Sequence, residues 1–139
     1  MALRIVVDPN VWIAALITDK DDAATVLVAR AVLAGDVTAV VSPHLLAELA
    51  SVLARPKLRR WITPEDAAAL VSDLTAIGEP HADPADPPAR CRDPKDDYLV
   101  ALAEAAGALL VTGDGDLLEM EGPKPPTVTP RGLLELLRP

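Results

Sequence analysis

Short apolar runs alternate with segments of helical period along the 139-residue chain. The apolar runs predict strands at residues 3–7, 37–41, 108–111 and 127–129. Period-3.6 patterns predict helices at residues 23–33, 45–53, 64–77, 94–106 and 131–137. Strands that are apolar on both faces and alternate with helices are typical of a parallel sheet covered on both sides. We therefore predict an α/β fold in one domain over residues 1–139, with a central parallel sheet of four or five strands flanked by helices.

Local signals support the predicted boundaries. Three helix starts have a capping residue followed by proline, and three predicted helix ends are followed by glycine. The starts are Ser42-Pro43, Thr63-Pro64 and Asp93-Pro94, and the glycines are Gly35, Gly78 and Gly107. Residues 79–92 contain four prolines, which predicts a loop inside the domain.

The charge pattern restricts how the chain can bind nucleic acid. The formal net charge is -8, so the surface as a whole does not attract phosphate, and any contact with nucleic acid must be local. One dense basic segment ends in an aromatic residue and offers phosphate contacts and a stacking surface to RNA or to a protein partner. Its residues are Arg55, Lys57, Arg59, Arg60 and Trp61. The alternative is a solvated helix end.

We expect a cytoplasmic protein without a membrane span. The longest apolar run, residues 11–17, is far shorter than the roughly 20 residues that cross a bilayer. Asp8 interrupts the position where a signal peptide needs its apolar stretch. The single cysteine, Cys91, cannot form an internal disulfide, which agrees with a reducing compartment.

Acidic side chains follow the predicted strands at the edge where open α/β sheets bind their ligands. Asp8 follows the first strand, Glu48 lies in the second turn of the helix after the second strand, and another acidic pair follows the third strand. That pair is Asp114 and Asp116, and the start of the preceding helix adds Asp93, Asp96 and Asp97. Each acid also has a structural alternative as a turn residue, as a cap or as a partner of the helix dipole.

Four acidic segments at one edge repel one another and need cations. Because the cluster contains oxygen ligands without grouped cysteine or histidine, it predicts one or two Mg²⁺ or Mn²⁺ ions. Such ions suit phosphoryl chemistry. Asn10, Ser42 and Thr112 are predicted auxiliary polar groups, and Asp93 is interpreted first as the cap of its helix.

Two other chemistries have weaker support. Cys91 with His44 or His81 matches no thiol-catalyst signature, and we interpret His44 as a surface residue in the first turn of its helix. The seven glycines form neither a dinucleotide-binding nor a phosphate-cradling loop.

Four blocks in this order resemble the PIN-domain ribonucleases, especially the toxin components of bacterial VapBC-type toxin–antitoxin pairs. The first block is VVDPNVW at 6–12, and the second joins SPHLLAE at 42–48 to VLARPKL at 52–58. The third joins DPKDD at 93–97 to LVALA at 99–103, and the fourth is LVTGDGDLL at 110–118. The chain departs from the first motif at Pro9, where the family usually has a small hydroxyl residue.

The resemblance implies specific roles. It assigns the four catalytic and metal-binding acids to Asp8, Glu48, Asp97 and Asp114, with Asp116 as an auxiliary ligand. It also implies cleavage of single-stranded or structured RNA with a 5′-phosphate product, Mg²⁺ or Mn²⁺ as cofactor, a homodimer, and inhibition by a cognate antitoxin protein.

Two alternatives stay open. A haloacid dehalogenase-like phosphatase also has an acid after its first strand, but it needs an acid two residues later, where this chain has Asn10. A catalytically inactive PIN interaction module is the second alternative, although such a module is marked by lost acids and all four are present here.

Overall fold

A computed structural model describes residues 3–138. In these residues the first half contains β1 (Leu3–Val7), α1 (Pro9–Ile17), α2 (Ala24–Leu33), β2 (Val37–Val41), α3 (Pro43–Leu53) and α4 (Pro64–Ile77). The second half contains β3 (Glu79–Pro80), α5 (Asp97–Ala106), β4 (Leu109–Val111), α6 (Gly115–Leu118), β5 (Thr127–Val128) and α7 (Pro130–Leu137). Two 3₁₀ turns, Pro56–Leu58 and Pro94–Asp96, precede α4 and α5. The predicted domain bounds include residues 1, 2 and 139, which lie outside the described residues.

The five strands form one sheet in the order β3-β2-β1-β4-β5, and every pair is parallel. The predicted α/β class and sheet are therefore confirmed. Ile5 of β1 is in register with Ala39 of β2 on one side and Leu109 of β4 on the other. Because the chain runs from β1 to one side first and returns to the other side later, the carboxyl end of β1 lies at the topological switch point, where α/β sheets open a crevice.

Two apolar cores cover the faces of the sheet. Ile5 and Val7 belong to the core formed with α1, α2, α4 and α7, whereas Val6 belongs to the core formed with α5. Successive side chains of a strand point to opposite faces, so a central strand covered on both sides is apolar throughout. All three side chains are almost completely buried.

The predicted elements differ from the structure mainly at three places. Helix α1 was not predicted, because its apolar residues occur on every side and give no amphipathic period; it packs between α2 and α3. The predicted loop at 79–92 begins with the short edge strand β3, where Pro80 is tolerated. The predicted helix at 94–106 begins with a 3₁₀ turn and becomes α-helical only at Asp97.

Glycine ends two helices for different reasons. Gly107 caps α5 in the left-handed conformation, with φ 63°. Gly78 after α4 has an extended backbone, but a Cβ there would lie 2.6 Å from the carbonyl oxygen of Leu74 and 2.8 Å from Cγ2 of Val41. Gly78 is therefore required by close packing of α4 on β2.

No helix among residues 3–138 is long and apolar enough to cross a membrane.

Candidate active site

Three buried polar residues occupy the first position after the three central strands. Asp8 follows β1, Ser42 follows β2 and Thr112 follows β4, and none is more than 5% exposed. Since the strands are parallel, these positions share one edge of the sheet. Of the residues predicted at this edge, Asp8 is an acid, and Ser42 and Thr112 are the predicted auxiliary polar groups; their roles stay predictions.

Asp8 is held by hydrogen bonds to both carboxylate oxygens. Its Oδ1 accepts from the backbone N–H of Asn10 at 3.0 Å, which caps α1, and its Oδ2 accepts from the hydroxyl of Thr112 at 2.8 Å. Burial raises the pKa of Asp8, the two hydrogen bonds partly offset this rise, and the charge of Asp114 adds to it. Pro9 at the first helical position removes no hydrogen bond from α1, because that N–H has no partner inside the helix.

Thr112 connects two of the acids. Its Oγ1 donates to Asp8 and accepts from the backbone N–H of Asp114 at 3.1 Å. Asp114 in turn caps α6 by accepting from the backbone N–H of Asp116 at 2.9 Å. Thr112 therefore fixes the turn that places Asp114 beside Asp8. Asp116 is exposed, and its Oδ1 lies 3.7 Å from Nη1 of Arg92; its auxiliary ligand role stays a prediction.

The three acids before and at the start of α5 have three different environments. Asp93 caps the 3₁₀ turn by accepting from the backbone N–H of Lys95 at 3.0 Å, as predicted. Asp97 is bound to the preceding loop: its Oδ1 accepts from the backbone N–H groups of Arg90 at 3.0 Å and Cys91 at 2.8 Å. These hydrogen bonds lower the pKa of Asp97.

Asp96 is the member of this group that faces the other acids. Its pKa is raised to about 6, first by burial and then by the negative charges of Asp8, Asp93 and Asp114. The motif comparison assigned the third acid to Asp97, but Asp97 holds the backbone of the preceding loop. The geometry therefore favours Asp96 for that position.

Glu48 joins this group across a cleft of about 180 Å³. It lies in the second turn of α3, as predicted, between the buried residues Leu45 and Leu49. The polar residues that line the cleft are Asp8, Asn10, Glu48, Arg55, Asp93, Lys95, Asp96 and Tyr98. Asp8 and Asn10 also line a neighbouring cleft of about 340 Å³ that contains Asp114. The clefts adjoin at Asp8, so acids from all four segments border one continuous depression.

The acidic group suits a hard divalent cation, although no three His, Cys, Asp or Glu side chains within residues 3–138 are already arranged around one point. The donors are carboxylates, and burial together with the charges of neighbouring acids raises the pKa values of Asp8 and Asp96. Oxygen ligands of this type are preferred by Mg²⁺ and Mn²⁺.

Other predicted residues have mainly structural contacts. Ser42 caps α3 by accepting from the backbone N–H of Leu45 at 3.1 Å. Of the basic segment, Arg55 lines the acidic cleft. Lys57 is exposed, Arg59 donates to the carbonyl of Ile62 at 3.2 Å, and Arg60 lies 4.8 Å from the ring centroid of the exposed Trp61. These contacts leave RNA or partner binding by that segment a prediction.

Two residues of the acidic cleft, Lys95 and Tyr98, were not singled out from the sequence, and neither was the contact between His44 and Tyr98. Lys95 lies inside the acidic motif, so its position beside Asp93 and Asp96 was the available signal. Tyr98 is buried, and burial and the charge of Glu48 raise its pKa. His44 is exposed, as predicted, but its ring also stacks on Tyr98.

The surroundings of Cys91 disfavour its reactive thiolate form. Burial and the neighbouring Asp97 raise the pKa of its thiol to about 12, so the thiolate is scarce at neutral pH. This agrees with the absence of a thiol-catalyst signature in the sequence.

The protein is an α/β protein with acidic residues gathered at the switch point of its parallel sheet. Similarity to a known sequence family identifies it further. The chain belongs to the PIN-domain family, whose sequence model, described as "PIN domain", matches residues 4–116. Membership in this family disfavours the haloacid dehalogenase alternative.

Individual relatives are distant. The uncharacterized protein MJ1680 of Methanocaldococcus jannaschii is 28% identical over 122 residues, which cover 85% of this chain and 75% of the relative. VapBC2 from Rickettsia felis, solved bound to a DNA fragment from their promoter, has a similar fold, with a TM-score of 0.63 and 15% identity over 91% of this chain and 98% of that chain. VapC20 of Mycobacterium tuberculosis, described as a sarcin-ricin loop cleaving toxin, gives a TM-score of 0.55 and 21% identity over 87% and 99% of the two chains. At these identities the structures support the fold alone.

Proposed function

We propose that this protein is an Mg²⁺- or Mn²⁺-dependent endoribonuclease that cleaves single-stranded RNA and leaves a 5′-phosphate. The observation that carries the proposal is the convergence of Asp8, Glu48, Asp96 and Asp114 on one depression. In this assignment Asp96 replaces Asp97 as the third acid, and Asp97 is a positioning residue that holds the loop at 90–91.

The side chains have distinct tasks in this reaction. A bound divalent ion supplies Lewis-acid stabilisation of the scissile phosphate and lowers the pKa of the attacking water. Asp8, Glu48 and Asp96 would hold the ion. Thr112 keeps Asp8 oriented through its 2.8 Å hydrogen bond, which is the kind of outer contact that tunes metal ligands.

The cations of the cleft are suited to the phosphate backbone. Arg55 and Lys95 line the same cleft as Asp8 and Glu48, and both are exposed, so they are available to RNA. Asn10 lines both acidic clefts and is placed to orient the phosphate. Local cations in a chain of net charge -8 allow phosphate contacts at the site without a basic surface elsewhere.

We further propose that the protein is a cytoplasmic homodimer and the toxin of a toxin–antitoxin pair. The support is fold-level similarity to VapBC2 and VapC20 together with family membership. The acidic depression suits a cationic side chain from an antitoxin, which would compete with the metal ions.

The direct test is cleavage of a panel of single-stranded and structured RNAs with and without Mg²⁺ or Mn²⁺. Glu48→Gln should abolish cleavage while keeping the fold, since it removes a charged ligand and nearly preserves volume. Beryllium fluoride should trap nothing, because no aspartyl-phosphate forms. A folded wild-type protein that cuts no RNA with either metal would instead support the inactive interaction module.

A further inference from the structure

A third cleft of about 500 Å³, which we name the second cleft of the groove, adjoins the acidic cleft at Glu48. The two clefts share four side chains, so they form one groove rather than separate sites. The shared residues are Glu48, Arg55, Lys95 and Tyr98. The proposed reaction uses the acidic end of this groove and leaves the second cleft without a role.

An aromatic stack forms one wall of the second cleft. The ring of His44 lies parallel to the ring of Tyr98, with centroids 3.8 Å apart and an interplanar angle of 5°. Tyr98 is 7% exposed and anchored in the core, whereas His44 is exposed and lines the cleft. The imidazole is therefore a flat surface with one face supported by a buried ring.

The backbone at His44 is fixed independently of its side chain. Its N–H donates to Oδ2 of Asp83 at 2.9 Å, and Ser42 caps the same turn of α3. A substitution of the imidazole leaves both hydrogen bonds in place. The stack therefore lies at the start of a helix whose backbone is fixed by hydrogen bonds, and not in a free loop.

We propose that His44, supported by Tyr98, is a stacking subsite for one RNA base next to the scissile phosphate. Bases stack on aromatic rings with little dependence on sequence, and cations beside the ring contact the neighbouring phosphates. Arg55 and Lys95 occupy that position, because they line both clefts and connect the stack with the acidic group. The carboxylates of Glu48 and Asp97 in the same cleft disfavour a phosphate deep inside it, which favours a base there and phosphates along the exposed cations.

The subsite rests on the proposed ribonuclease function and is tested by a double-mutant cycle. Binding of a short single-stranded RNA of mixed sequence is measured without divalent metal, so that no cleavage occurs, and one abasic nucleotide is moved along the RNA. With the wild-type protein, one abasic position should weaken binding about 5- to 150-fold, the effect that corresponds to one stacked base. In the His44→Ala variant, an abasic nucleotide at that position should not weaken binding further. In the His44→Phe variant, the abasic nucleotide should again weaken binding, because phenylalanine can also stack on the base.

The control is His81→Ala, which replaces the other histidine and lies outside the lining of this cleft. It should bind all RNAs like the wild type, and melting curves of each variant verify the fold. A purely structural role of His44 would weaken binding of every RNA equally, and that outcome would overturn the subsite.

The cleavage assay separates the two proposals. RNA cleavage without any coupling between His44 and an abasic position removes the subsite and leaves the ribonuclease. Coupling without cleavage under Mg²⁺ or Mn²⁺ removes the ribonuclease and leaves the base-stacking surface. A protein that neither binds nor cleaves RNA contradicts both.

Discussion

Substitutions at Asp96 and Asp97 should have opposite effects on stability, although the two residues are adjacent. Asp96 faces other negative charges, whereas Asp97 accepts two backbone hydrogen bonds. Three single variants are compared: Asp96→Asn, Asp97→Ala and Asp97→Asn. All are compared first without metal.

The magnitude for Asp96 follows from its pKa. The rise from 3.8 to about 6 corresponds to about 3 kcal/mol. Because the carboxyl group is only partly buried, solvent screening reduces this to about 1 kcal/mol. Asp96→Asn should therefore raise the metal-free Tm by roughly 4 °C at pH 7, using the usual scaling for a domain of this size.

The magnitude for Asp97 follows from its hydrogen bonds. Each bond to a charged acceptor contributes about 1.5–3 kcal/mol, and the lower value applies because the loop at 90–91 is only partly buried. Asp97→Ala removes both bonds and should cost about 3 kcal/mol, or roughly 12 °C in Tm. Asp97→Asn keeps a neutral acceptor and should lose about half as much.

The pH dependence provides a second measurement. The raised pKa of Asp96 means that the folded metal-free protein binds this proton more tightly than the unfolded chain. Its stability should therefore increase as pH falls from about 7 towards 4, between the folded pKa near 6 and the unfolded value of 3.8. Asp96→Asn should reduce this increase, and Asp8, whose pKa is also raised, should account for the remainder. The lowered pKa of Asp97 acts oppositely, since its stabilisation is lost only as pH falls below the unfolded value.

Thermal melts, metal titration and RNA cleavage of the same variants decide whether Asp96 or Asp97 is the third acid of the site. Asp96→Asn should lose the metal-induced rise in Tm and the cleavage. Asp97→Asn should retain measurable amounts of both. If Asp97→Asn melts normally and does not cleave, while Asp96→Asn cleaves like the wild type, the assignment within this motif is reversed.

Three further predictions concern the fold and the metal. Millimolar Mg²⁺ or Mn²⁺ should raise the wild-type Tm in a concentration-dependent way, because ions that bind only the folded acids stabilise by mass action; a Tm that is independent of both ions counts against the site. Gly78→Ala should destabilise by about 1–3 kcal/mol in urea melts, because its Cβ would meet backbone and Val41 atoms, whereas Gly113→Ala, whose Cβ meets nothing within 4 Å, should melt at or above the wild-type temperature. Thr112→Val should remove the hydrogen bond to Asp8 and lower metal affinity or cleavage about 10- to 100-fold; unchanged kinetics in a folded variant would remove Thr112 from the positioning of Asp8.

The pattern of hydrophobic positions was sufficient to predict most strands of the sheet and most of the helices. The strand at 37–41 and the helix at 64–77 have the predicted bounds, because strand burial and helix capping both leave local signals. Helix α1 lacks an amphipathic period, although Asp8-Pro9 at its start is the same pair of cap and proline that marks three other helices. That pair was the available signal for α1, and the hydrophobic pattern alone did not indicate the helix.

The site was predictable by segment but not by individual residue. Spacing brought Asp8, Glu48 and Asp114 to one edge, because parallel strands end together. The choice between Asp96 and Asp97 depends on the 3₁₀ turn before α5, which rotates successive side chains by a larger angle than an α-helix does. The pairing of His44 with Tyr98 joins residues far apart in the chain, and neither residue carries a pattern that indicates the other.

Asp8, Asp93 and Asp114 each cap a helical segment as well as belonging to the acidic depression. Asparagine caps about as well as aspartate, so the fold tolerates a change that removes the charge. In the genetic code a single G-to-A transition converts either aspartate codon into an asparagine codon. For a toxin of the kind proposed above, one nucleotide change at Asp8 or Asp114 would therefore give a silent gene that still encodes a folded protein.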